Sequence, residues 1–164
     1  TGRHPMPSRR LPVAGLAVAG VMVLVLLLTG RGPISGEELA RRVAECEPSW
    51  SNYDEDLKAQ IGAAPVAEWK GEVAWARWEA GELRVAFLVR GAWAGRDIAI
   101  PVLLKLPNGE TRRNADAARE DGKLVYRFTT SLDTPPQWVV VRYPFYGERR
   151  IVLSEDGRWE STGP

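Results

Sequence analysis

Three kinds of hydrophobic patterning follow one another along the 164 residues. Leu11 to Leu28 reads LPVAGLAVAGVMVLVLLL, 18 residues without a charge or a strong hydrogen-bonding side chain. As a helix it spans roughly 27 Å, close to the hydrocarbon thickness of a bilayer, where only a helix satisfies the backbone of a lone segment. The pattern predicts a transmembrane helix over 11–29 behind a basic arm at 1–10. Pro12 suits its first turn, where no N–H partner is lost. Next comes a helical period. Ser35 with Glu38 forms a capping-box pattern, and Leu39, Val43 and Cys46 recur at helical spacing, so a short helix is expected over 36–46. A second, with Tyr53, Leu57 and Ile61 on one side, is expected to stop at Gly62 and the Ala63-Ala64-Pro65 run.

From residue 67 the period becomes two. Leu83, Val85, Phe87 and Val89 alternate with Arg84, Ala86, Leu88 and Arg90; Leu124, Tyr126 and Phe128 do the same further on. Turn signals at Ala80-Gly81, Pro107-Asn108-Gly109, Asp121-Gly122, Pro135-Pro136 and Asp156-Gly157 separate the runs. Strands are expected near 69–78, 82–90, 97–106, 110–114, 123–130, 137–143, 148–154 and 158–161. So many short strands point to an antiparallel β-sandwich, immunoglobulin-like in architecture, over 67–164. The fold class expected is thus one transmembrane α-helix plus a mainly-β extramembrane domain, joined by a 30–66 linker with short amphipathic helices. Pro101 marks its run as an edge or a bulge.

The apolar stretch is read as a retained anchor. A cleaved signal has a shorter apolar region and a small-residue cleavage site, whereas this run ends in Leu26-Leu27-Leu28 with Arg31 close behind. Arg3, Arg9 and Arg10 precede it, which places the N-terminus in the cytoplasm and the domain on the extracytoplasmic (periplasmic) side. Gly15 and Ala19, four apart on the small-residue half, are the expected helix-packing face.

Charge and chemistry narrow the functions. Of 22 basic and 21 acidic side chains, four arginines and no acid lie in residues 1–31, leaving the rest slightly acidic. No broad cationic face for nucleic acid remains. The single Cys (Cys46) permits no intrachain disulfide or CxxC pair; it is expected to pack as a small apolar residue. The single His (His4) precedes the apolar stretch, so a Ser-His-Asp triad, a blue-copper site and histidine zinc sites lack their residues. Asp54-Glu55-Asp56 lacks the spacing and glycine of a calcium loop and reads as a solvated helix start. Neither a Walker loop nor a GxGxxG fingerprint occurs. No cofactor, metal or catalytic residue is assigned.

Seven tryptophans, all beyond residue 31, and 18 arginines against four lysines are the unusual counts. So small a domain buries three or four such rings, so the others are expected at an interface or at the lipid headgroups. A GC-rich coding sequence raises the same residues. Trp93, in a glycine-flanked loop, and Tyr143, Phe145 and Tyr146, where a strand meets Pro144, are the candidate partner-binding residues; capping of the sandwich ends is the competing role. These readings converge on a non-catalytic accessory subunit of a multi-subunit bacterial membrane complex. Photosynthetic and respiratory assemblies are the base-rate examples, and the partners would be other transmembrane subunits and the lipid bilayer. An anchored binding or assembly factor is the alternative, and an anchored histidine-free enzyme the third reading.

Overall fold

The computed structural model describes residues 34–145 and 147–162. The chain divides into two units, Thr1–Gly36 and Glu37–Pro164. The expected membrane span, with Gly15 and Ala19, lies outside the described residues, as does Tyr146. Among the described residues no helix is long and apolar enough to cross a membrane.

Among the described residues three short helices come first: α1 (Gly36–Glu45), α2 (Tyr53–Gln60) and α3 (Ala63–Glu68). Leu39 and Val43 of α1, Tyr53 and Leu57 of α2 and Val66 of α3 are buried, each helix turning one narrow stripe inward. The third helix forms where the Ala63-Ala64-Pro65 run predicts a stop. Pro65 instead sits in the first turn, where its missing N–H has no partner to lose.

Nine strands follow in the described residues, β1 (Lys70–Glu79), β2 (Glu82–Arg90), β3 (Leu103–Lys105), β4 (Thr111–Arg113), β5 (Asp116–Glu120), β6 (Lys123–Thr129), β7 (Trp138–Tyr143), β8 (Gly147–Val152) and β9 (Arg158–Glu160). They form two sheets, one of order β5-β6-β2-β1-β9 and one of order β4-β3-β7-β8. Every pairing is antiparallel. The protein is therefore mainly β, as the period-two pattern implied.

Two strand expectations change. The run 97–106 yields only Leu103–Lys105. Pro101 has no N–H for a ladder, and side chains take the backbone groups around it instead. The Tyr53 hydroxyl donates to the Pro101 carbonyl at 2.7 Å, and the Asn114 Oδ1 accepts the Val102 N–H at 2.9 Å. The expected strand at 110–114 ends at Arg113, and a further strand, β5, follows on the other sheet.

The facing sides of the sheets share one aromatic cluster. Phe87 of β2 meets Tyr143 of β7 with ring centroids 5.2 Å apart, and Tyr126 of β6 at 5.2 Å. Trp69, at the end of α3, packs edge-on against both Phe87 and Tyr143 at 5.8 Å. Its six-membered ring lies directly over Gly71, where any Cβ would fall 2.4 Å from Cη2. Around the cluster lie Leu83, Val85, Leu104, Phe128, Val139, Val141 and Ile151, all fully buried. Cys46 is also wholly buried, as expected of a packing residue.

Candidate functional site

Of the expected partner-binding aromatics, two face inward. Trp93 closes a 3-10 turn (Gly91–Trp93), is 1% exposed, and donates its Nε1–H to the Pro65 carbonyl at 2.9 Å. It ties the end of β2 to α3. Tyr143 is 4% exposed and belongs to the central cluster, because residues of its parity on β7 point between the sheets. Phe145 faces solvent at 52% exposed. It holds a positive φ of 63° at the tip of the β7–β8 hairpin, a conformation that bulky side chains rarely adopt.

The tryptophans are not exposed in the way their number suggested. Trp69 and Trp93 are buried, and Trp50, Trp75, Trp78, Trp138 and Trp159 are half-buried. Four of these five carry a cation on the ring. Trp75 lies under Arg77 at 4.5 Å and Arg84 at 6.0 Å; Trp50 lies by Lys105 at 5.5 Å and Arg142 at 5.9 Å. Trp138 carries Arg150 at 4.4 Å and Trp159 carries Arg149 at 5.3 Å. Five arginines and one lysine thus have an indole of the same chain as a partner.

On the outer face of the five-stranded sheet the register lines up four arginines. Arg158 is opposite Arg77, Arg77 opposite Arg84, and Arg84 opposite Arg127. A β-bulge between Val73 and Trp75 creates this face by turning Trp75 and Arg77 outward. Like charges directly opposite are unfavourable, and acids outside the row offset them. Glu120 takes Arg84 through both oxygens, Glu160 takes Arg77 at 3.0 Å, and Asp116 takes Arg127. A trough of about 440 Å³ here is lined by Trp75, by Arg77, Arg84 and Lys123, and by Glu120, Asp121 and Glu160. Its charges balance and the Trp75 ring is already covered, so it presents no single sign or bare platform to a ligand. A smaller trough, about 330 Å³, lies where α1 meets β4 and β5. Arg113 fills that corner, bonding Glu47 at 2.6 Å and the Ala44 carbonyl at 3.4 Å.

The edge strand β8 differs. It bonds only to β7, and the Leu153 N–H to Gln137 carbonyl bond fixes the alternation of the ladder. By that alternation the backbone groups of Glu148, Arg150 and Val152 point away from β7. Arg149 and Arg150 are both exposed, and among the described residues neither has a carboxylate partner, whereas eleven arginines do. Trp159 holds the first at the mouth between the sheets, and Trp138 holds the second on the outer face. Val152, beside them, is 63% exposed. Sequence reasoning missed this pair. The available signal was an Arg-Arg dipeptide inside a run of strand character, whose tryptophan partners lie on other strands.

The largest perturbations of ionisation lie in the interior instead. Burial pushes the Cys46 thiol up to about 11, and it raises the Tyr53 and Tyr126 phenols well above their ordinary range. Among the described residues no group of three His, Cys, Asp or Glu side chains is placed to hold a metal ion. No protein-family model, curated protein or solved structure matches the chain.

Proposed function

We propose that this protein is a membrane-tethered, non-catalytic accessory subunit whose immunoglobulin-like β-sandwich binds neighbouring proteins on the extracytoplasmic side. The observation that carries the reading is the uncharged 18-residue stretch at 11–28, joined to a β-rich unit with its own core. The strand orders support the architecture. With β1, β2, β6 and β5 adjacent in one sheet and β4, β3, β7 and β8 in the other, the connections follow the Greek-key path of immunoglobulin-like sandwiches. The surface supports the role, because its cations sit on tryptophans in fixed positions, and Trp and Arg are the residues enriched in protein interfaces.

The test is extraction and native electrophoresis of the tagged chain from its own membranes. A subunit resists alkaline carbonate extraction and migrates in mild detergent with larger partners. Recovery in the soluble fraction as a monomer, without residues 11–28, would end the proposal. A transient binding or assembly factor would stay in the membrane but separate from its partners in the same gel.

A further inference from the structure

We propose that the free edge of β8 receives an extended acidic segment of a different protein, which adds a strand to the four-stranded sheet. The inference rests on the reading of the domain as a binding module and specifies the partner's chemistry. Edge strands offer unpaired N–H and C=O groups to another chain, and strand addition uses them for affinity while side chains select the partner. Of the four edges, β4 and β9 have three residues each. The β5 edge is tied up, with Asp116 and Glu120 in ion pairs and Arg119 bonding the Arg96 carbonyl at 2.7 Å. Only β8 combines six residues, no proline and no bulge with uncompensated charge.

Arg149 and Arg150 are adjacent, so their side chains leave on opposite faces of the strand. Each guanidinium lies on an indole, which fixes its position and leaves in-plane N–H donors for a carboxylate. An added antiparallel strand would therefore carry adjacent acids opposite Arg150 and Arg149, a base opposite Glu148 and an apolar residue opposite Val152. In the partner's direction that order is apolar, any residue, acid, acid, base. A second copy does not fit. Two β8 strands paired about Arg149 would set Arg149 opposite Arg149 on one face, and no described strand carries two adjacent acids.

The test uses the full chain in detergent and a fluorescein-labelled peptide of alternating Thr and Val with a central Val-Thr-Glu-Glu-Lys, read by anisotropy. The parent protein should bind it saturably, and added salt should weaken the complex. The double variant Arg149→Glu/Arg150→Glu should lose about tenfold or more in affinity and gain binding to the peptide with Lys-Lys in place of Glu-Glu, a gain that also shows the variant is folded. A peptide that keeps Glu-Glu but has proline at the flanking pairing positions should not bind. The proposal is overturned by no saturable binding to the parent protein, by equal binding of the proline peptide, or by unchanged affinity in the variant. Those failures leave co-migration with a membrane complex untouched, so the two proposals stand or fall separately.

Discussion

Gly71→Ala tests the packing of the two sheets through the sign of one small change. A methyl at Gly71 would lie 2.4 Å from Cη2, 2.8 Å from Cζ2 and 3.0 Å from Cζ3 of Trp69. The indole has nowhere to retreat, being fully buried and held edge-on by Phe87 and Tyr143 at 5.8 Å. Two effects oppose each other. Gly→Ala at an unstrained position stabilises by about 0.4–1 kcal/mol through the unfolded chain. Forcing a methyl into a filled site costs about 1–3 kcal/mol. The clash wins by about 1–2 kcal/mol, and by more if the ring is expelled, since removing a large aromatic from a core costs about 3–5 kcal/mol.

The loss should appear as a fall of about 4–8 °C in the unfolding midpoint, taking about 4 °C per kcal/mol for a domain of this size, followed by far-UV circular dichroism in constant detergent. The decisive comparison is a double-mutant cycle with Trp69→Leu. In that background the obstacle is gone and Gly71→Ala should be neutral or slightly stabilising, giving a coupling of about 1.5–3 kcal/mol. Equal losses in both backgrounds, or no loss in the first, would refute the contact.

Other outcomes follow from the buried polar groups. Tyr126 and Tyr53 are both fully buried, yet only the Tyr53 hydroxyl has a partner, the Pro101 carbonyl; that of Tyr126 has none among the described residues. Tyr53→Phe should therefore cost about 1 kcal/mol, and Tyr126→Phe should be neutral or stabilising, as read by urea midpoints; a reversed order would contradict the assignment. Burial raises the Cys46 thiol to about 11, and raises both phenols as well. Such groups contribute stability that is fully present below their unfolded values and is lost as pH climbs toward the folded ones. Unfolding midpoints should thus fall above about pH 8.5, where the unfolded thiol ionises. Cys46 should resist iodoacetamide at pH 8 until urea exposes it; rapid labelling of the folded chain would show that the thiol is not enclosed.

How much was legible depended on whether the cause was local. Alternation in β2 and β6 reads directly because one side of each strand is wholly apolar and every charge falls on the other. The β5 segment, Asp116-Ala-Ala-Arg-Glu120, has no such alternation. It becomes a strand because β6 offers it a ladder from Asp116↔Arg127 to Glu120↔Lys123, and no property of the five residues announces that. The β-bulge before Trp75 is equally silent, yet it decides which face carries the arginine row. Tyr143 and Phe145 looked alike as loop aromatics. Strand parity buries the first, and the hairpin turn exposes the second. Trp93 looked mobile between glycines until the Pro65 carbonyl, distant in sequence, supplied its hydrogen bond. The Arg149 and Arg150 pair is the clearest case, since an Arg-Trp stack across strands leaves no spacing rule along the chain.

The same distinction explains how the sheets stay joined without a covalent link. With one cysteine in the chain, no disulfide can cross between them. The aromatic cluster takes that position: Phe87 belongs to one sheet and Tyr143 to the other, and Trp69 wedges between them from the end of the helical segment. Edge-to-face pairs contribute about 0.5–1.5 kcal/mol each beyond the area they bury. Three such pairs bridge the sheets, one directly and two through Trp69, and reach about 1.5–4.5 kcal/mol, the range of a single disulfide at about 2–4 kcal/mol. The two devices act differently. A disulfide works largely on the unfolded chain, whereas ring contacts exist only when all their partners are in place. Stability is thereby tied to the docking of the 37–69 segment, which supplies Trp69, Tyr53 and Trp50. A change that loosens that segment should loosen both sheets, even though it touches neither ladder.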